Sequence, residues 1–285
     1  EQNYALHNNE AFYRDLKSIG SLASLNRAVN TLNGRDNLMR FSREDRIVVR
    51  EMNRQINQDL FAAANGNITE KTGSVNSFSF QNDSGSYGQY ALGLRRINPH
   101  LKVGYAMMTA RLNTQDRAQD NNRNGLLYQL ALPMNYRYGS LAVMMTPTIG
   151  FIRNHYNRVG PNDTTQRGIL EKRVFAWMNE ARYPLTIREI TLAPTMELNI
   201  LMMHQKGDET HTPYALVIPD NRQVSLEGGL GFNLAHSFIP HRGTKLNLTA
   251  RIMGYYEFLD PYQMRVGIQG MSGTFDLMEE HQNWR

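Results

Sequence analysis

The chain has no cysteine, which excludes a disulfide frame, a zinc–thiolate site and a cysteine nucleophile. It also has no apolar run approaching the about eighteen residues of a transmembrane helix, so it is not a helical membrane protein. That absence leaves a membrane β-barrel open, because barrel strands hide their apolar residues by alternation. There is no Lys/Arg tract either. The net charge of +5 over 285 residues is modest and dispersed, so no nucleic-acid partner is expected. The HExxH, GxSxG and Walker A patterns are all missing. His7 stands alone, and His204 and His211 lack ligand spacing, so no metal, cofactor or catalytic constellation is expected. Gly228–Gly231 resembles a phosphate loop only superficially, since it lies in an alternating segment. No signal peptide is visible at Glu1, and an exported protein with this sequence is expected to be the processed C-terminal part of something longer.

What is present is alternation. In Thr244–Phe258, Leu246, Leu248, Ala250, Ile252, Gly254, Tyr256 and Phe258 fall on one parity, and Lys245, Asn247, Thr249, Arg251, Met253, Tyr255 and Glu257 on the other. Side chains alternate across a strand, so one face is apolar and the other polar. Such a run is long beside the about five or six residues usual in soluble domains, and long enough for a tilted membrane strand. Taken alone, this stretch fits a soluble sandwich as well as a barrel.

The pattern repeats. Ten candidate strands follow Gly73: Gly73–Phe80, Tyr87–Arg96, Leu101–Leu112, Leu126–Tyr138, Leu141–Arg153, Lys172–Pro184, Glu189–Met203, Gln223–Ala235, Thr244–Phe258 and Met264–Leu277. Leu130, Leu192 and Leu198 share the apolar parity with Leu248, Ile252, Tyr256 and Phe258, which makes them candidates to face lipid. Pro133, Pro147 and Pro194 sit inside these runs and are expected at bulges or ladder breaks. Short connections (Ile97–His100, Tyr138–Ser140, Pro184–Arg188, Phe238–Gly243) alternate with long polar ones (Asn113–Asn124, Asn154–Gly168, His204–Arg222). A sandwich has no reason for that order. An outer-membrane barrel has short periplasmic turns and long outer loops.

Residues 1–66 differ in texture. Apolar residues recur at helical spacing over Asn8–Asn33, with Gly34 as a stop. A second helix is expected from Ser42, with Asp45 in a capping-box-like position, to about Ala63. Its apolar positions are Val48, Val49, Met52, Ile56 and Leu60, and Arg43, Arg46, Arg50 and Arg54 make a basic stripe. The polar parity of the strands would line a lumen. It carries the small residues Gly93, Gly104, Ala106, Ala110, Gly229, Gly231 and Gly267. It also carries the carboxylates Glu180, Glu189, Glu197, Glu227 and Glu257, and the cations Arg95, Arg137, Arg182 and Arg251. Buried carboxylates need partners, and the arginine stripe supplies them if the helix lies inside the barrel. Residues 1–66 are therefore expected to form a pore-helix segment and residues 67–285 an all-β, antiparallel transmembrane barrel around it.

The Leu32–Gly34 lead-in, the stretch YALGLRRINPHLKVGYAMMTARL, and VSLEGGLGFNL followed by LNLTARIMGYYEFLDPYQ and GMSGTFDL carry a resemblance. The chain resembles the C-terminal translocator domain of autotransporters, the type V secretion proteins of Gram-negative bacteria. The resemblance implies about twelve strands, a helical linker in the pore, an N-terminal passenger exported or displayed at the cell surface, and insertion by the barrel assembly machinery among outer-membrane lipids. The chain departs from it in showing only ten strands and in stopping at Trp284-Arg285 without the further strands usual in the family. Some autotransporters cut their linker between two asparagines; Asn8-Asn9 and Asn121-Asn122 are such pairs, of a common kind. Two other functions fit a barrel: a passive porin, and a protease at the outer rim, where Asp208, Glu209, His211 and Asp220 share one expected loop.

Overall fold

The computed structural model describes residue 14 and residues 35–63, 70–79, 84–116, 121–159, 165–187, 190–210, 215–241, 244–269 and 273–278. Of the helix expected over Asn8–Asn33 only Arg14 is described, and it is helical. Helix α1 runs Arg35–Ala63, beginning seven residues before Ser42. Ser42 is thus no cap. Its hydroxyl accepts from Lys172 Nζ at 2.8 Å and donates to Gln205 at 2.9 Å, which leaves it no role at a helix start.

Among the described residues thirteen strands follow in one antiparallel sheet: β1 (Glu70–Ser79), β2 (Ser84–Asn98), β3 (Leu101–Asp116), β4 (Asn121–Ala131), β5 (Met134–Tyr138), β6 (Leu141–Val159), β7 (Thr165–Arg182), β8 (Leu185–Ile187), β9 (Ile190–Glu209), β10 (Leu216–His241), β11 (Thr244–Glu257), β12 (Gln263–Ile268) and β13 (Thr274–Met278). The order is β1-β2-β3-β4-β6-β7-β9-β10-β12-β13, with β5 continuing β4 against β6, β8 continuing β7 against β9, and β11 sharing β10 with β12. The sheet curls until strands at both ends of this order, β1 and β13, touch the same helix. No strand of the described residues bridges the free edges of β1 and of β11 and β13.

Proline places the breaks. Leu132 and Pro133 separate β4 from β5, and Leu132 N–H donates to the carbonyl of Pro147 on the facing strand. Pro184 lies between β7 and β8, and Tyr183 N–H donates to Pro194 O at 3.1 Å. Pro147 and Pro194 have no N–H for the ladder, and each sits where the partner strand is itself interrupted.

Two sequence expectations change here. Met264–Leu277 is not one strand: β12 extends β11 along β10, and β13 turns back beside β12. The long polar connections are mostly strand. Pairing continues to Asp116/Asn121, Val159/Thr165 and Val217/Asp208. Beyond the lipid the ladder needs no apolar face, so alternation of hydropathy stops while hydrogen bonding goes on.

The apolar parity faces outward as expected at Leu130, Leu192, Leu198, Leu248, Ile252 and Phe258, all exposed, with Ile252 at 76%. Tyr256 is half-buried, its ring edge-on to Phe258 at 5.0 Å. Ile252→Arg is expected to destabilise the barrel in bilayers by about 2–4 kcal/mol if it sits near the midplane. Urea titration in liposomes checks this, and a change within error would place Ile252 outside the hydrocarbon region.

Candidate functional site

The lumen is filled by α1, which at 1.5 Å per residue is about 43 Å long and outreaches the hydrocarbon layer of about 30 Å. Its side chains meet the lumen wall in three ways. The apolar side, Val48, Val49, Met52, Ile56 and Leu60, packs in one core with Tyr90, Leu92 and Leu94 of β2 and Ala106, Met108 and Ala110 of β3, a core that continues to Leu127 of β4, Met144 of β6, Val174 of β7 and Leu201 of β9. Small residues let the helix approach: a Cβ on Gly88 would lie 3.1 Å from Met52 Cε and 3.2 Å from Ala110 Cβ.

The basic side faces β9, β10 and β11. Arg50 pairs with Glu227 at 3.2 Å and Glu257 at 3.1 Å, and also reaches Ser225. Arg54 pairs with Glu227 at 3.0 Å and Glu197 at 3.4 Å, and lies 4.4 Å above the Tyr255 ring. Arg46 lies one turn earlier on the same side. It donates to Gln223 and to the Pro261 carbonyl, both at 3.1 Å, and stacks on Tyr262. Arg43 leaves the column. Three residues rather than four before Arg46, it is rotated by roughly 60° and is only half-buried.

Toward β6 and β7 the helix presents short polar residues: Asn53 and Asn57 between its apolar and basic stripes, and Asp45 within the apolar stripe, one turn before Val49. Asp45, fully buried, takes Lys172 Nζ at 2.7 Å, Arg123 Nη1 at 2.6 Å and Asn154 Nδ2 at 3.0 Å. Thr148 donates to Asn53 and Thr146 to Asn57. At the C-terminal end, Asn135 Nδ2 donates to the Leu60 carbonyl at 2.8 Å, while Arg182 and Arg137 lie 4.8 Å and 5.8 Å from the Phe61 ring. These wall groups supply the donor and positive charge that a helix C-terminus lacks.

Glu180, Glu197, Glu227 and Glu257 point inward and are buried, with Glu180 paired to Arg182 at 2.5 Å and to Arg251 at 3.6 Å. Arg251 also contacts Glu197. Glu189 lies outside the described residues. Gly104, Ala106, Ala110, Gly229 and Gly231 share the inward parity, but the last two clear room for neighbours on β11 rather than for the helix: a Cβ on Gly229 would meet the Tyr255 ring, and one on Gly231 would meet Met253.

Three residues expected inward face out. Gly93 and Arg95 share parity with the exposed Tyr87, and Gly267 with the exposed Arg265. In β2 the inward face is the apolar one, because it receives the apolar side of α1, so the rule that apolar residues face lipid inverts there.

The sequence reading missed Asp45 as a wall contact, along with Lys172, Arg123, Asn53 and Asn57. Inward parity extended from Glu180 would have reached Lys172. It also missed Glu209, placed in a loop but buried on β9, where Arg158 holds it at 2.6 and 2.7 Å with Tyr156 and Leu216 N–H also donating to it. Asp208 and Asp220 lie outward on β9 and β10, His211 is outside the described residues, and no three His, Asp or Glu side chains among the described residues could share a metal. Asn8-Asn9 is likewise outside the described residues, and Asn121-Asn122 opens β4.

The family description "Autotransporter beta-domain" matches residues 60–283. Among solved structures, the translocator domain of the autotransporter NalP from Neisseria meningitidis superposes with a TM-score of 0.60 at 10% identity, covering 85% of this chain and 93% of that one. A structure of the FpvAI–pyocin S2 complex gives a TM-score of 0.32 at 8% identity over 74% of this chain and 34% of that one, too low to inform the fold. No curated protein sequence matches the chain. With a family match over most of its length and a helix-filled barrel built like a known translocator, this chain belongs to the autotransporter β-domain family, the outer-membrane barrels that translocate a linked passenger.

Proposed function

We propose that α1 is the resident plug of the translocation pore: the linker segment that stays in the lumen once the passenger is outside. The observation that carries this is a matched partner along the helix: apolar residues in a core shared with strands from β2 to β9, arginine against carboxylate on β9 to β11, and short polar residues against threonines of β6. A passive porin would need that space open. The chain performs no reaction of its own. It anchors the passenger among outer-membrane lipids and is inserted by the barrel assembly machinery. The break between β11 and β12 serves the plug, since it turns the Pro261 carbonyl toward Arg46.

The long hairpins are then extracellular and the short turns periplasmic. Epitope tags inserted at 117–120, 160–164 or 211–214 are expected to be labelled on intact cells, and a tag within 184–188 only after permeabilisation. A tagged domain fused before Glu1 should also be labelled on intact cells. Surface-labelled hairpins with the fused domain retained inside would favour the porin over the translocator; labelling at 184–188 would invert the barrel.

A further inference from the structure

We infer that the outward face of β7, β9 and β10 binds the phosphate head of an anionic glycolipid of the outer leaflet, through Arg173, His204 and Arg222 with Lys206 above them. The ladder register places these residues. Pro147, Trp177, Ile200 and Leu226 form one outward row across β6, β7, β9 and β10, and Ile149, Phe175, Met202 and Val224 form the next. Both rows are wholly apolar. The third row is Phe151, Arg173, His204 and Arg222. Hydropathy therefore changes in a single two-residue step, which marks the edge of the hydrocarbon layer on these strands.

The three basic side chains of that row are exposed and sit on adjacent strands, about 5 Å apart. Arg222 Nη2 lies 3.1 Å from Met202 Sδ, so the guanidinium itself sits at the upper edge of the apolar row. Among the described residues neither Arg173 nor Arg222 is ion-paired. The exposed Asp220 lies 3.8 Å from His204 Nδ1. Glu171, in the row above, lies opposite Lys206 on the ladder and pairs with Arg153 at 3.6 Å. Cations directly above an apolar wall match an amphiphile with a phosphate directly above its acyl chains.

The wall above the cations favours a glycolipid over a small phospholipid. β6 and β7 pair for eight residues past Phe151, to Val159 opposite Thr165, which is roughly 26 Å of sheet. Its outward side chains, including His155, Lys206 and Asp208, suit a sugar headgroup. This rests on the long hairpins facing outside, which the inserted tags test separately.

The test is native mass spectrometry of the full chain in neutral detergent, with added bisphosphorylated lipid A, its dephosphorylated form, or phosphatidylglycerol. The wild type is expected to retain lipid A at least about tenfold better than either other lipid, and the variant R173Q/K206Q/R222Q to lose that preference. R95Q, an outward arginine near the other end of the barrel, should leave it intact. Because the substituted side chains are exposed, the heat-modifiable band on gels should be unchanged, which confirms folding. Unchanged retention by the triple variant, equal retention of the dephosphorylated lipid, equal loss in R95Q, or displacement of lipid A by millimolar inorganic phosphate would each overturn the site. So would equal retention of phosphatidylglycerol, which would show a row that reads charge alone.

Discussion

Deleting residues 1–66 is expected to raise single-channel conductance in planar bilayers by about tenfold or more. The helix removed is about 10–12 Å across with its side chains, and α1 is buried along most of its length. Its loss strips Arg50 and Arg54 from Glu197, Glu227 and Glu257, and Asp45 and Glu44 from Lys172 and Arg123, so the opened lumen carries uncovered charge of both signs. A deletion variant with wild-type conductance would mean that the helix does not obstruct the pore. Adding the 1–66 segment back as a separate polypeptide should close the channel if the lumen wall retains its shape.

The second large effect is expected at Asp45. Asp45→Ala removes the carboxylate that Lys172 Nζ contacts at 2.7 Å, where both side chains are completely buried. Arg123 keeps Glu44 at 2.7 Å, and Lys172 keeps the Ser42 hydroxyl at 2.8 Å. Breaking a buried pair from one side costs about 3–5 kcal/mol, because a charge is left in place without its partner. Thermal unfolding followed by the heat-modifiable gel band should show it. Replacing both partners, Asp45→Leu with Lys172→Met, should recover much of the loss, since the stranded charge is then gone. If Asp45→Ala unfolds like the wild type, water reaches Lys172 and the site is not dry.

The outward face was the legible part of this sequence. Lipid imposes one demand on every strand it touches, so Leu130, Leu198 and Ile252 could be read from parity alone. The lumen imposes a different demand at each position, set by whichever side of α1 lies opposite. Arg50 and Glu227 were legible because each looked out of place, a basic column on a helix and a carboxylate column on a strand. Gly93 and Arg95 were read the wrong way round, because the apolar residues beside them, Leu92 and Leu94, carry no mark of whether lipid or a helix covers them. Asn53 and Asn57 gave no signal, since a short amide on a helix reads as solvated until the facing threonines are known. The outer hairpins were read as loops for a related reason. Pairing through backbone groups leaves no trace in side-chain hydropathy once neither face is in lipid.

The spacing of the basic contacts along the chain sets an order of assembly. Arg46, Arg50 and Arg54 lie near the beginning of the described chain, and the wall residues that hold them are far downstream: the pairs are separated by 143 residues for Arg54 and Glu197, 173 for Arg54 and Glu227, and 207 for Arg50 and Glu257. The apolar side of α1 finds β2 and β3 much sooner. A chain of this connectivity holds its helix first by a hydrophobic hinge and locks it only when β10 and β11 arrive, and contacts closing such long loops form late. Until then the basic side stands open, and the interval between hinge and lock is a window in time during which the lumen has one movable wall.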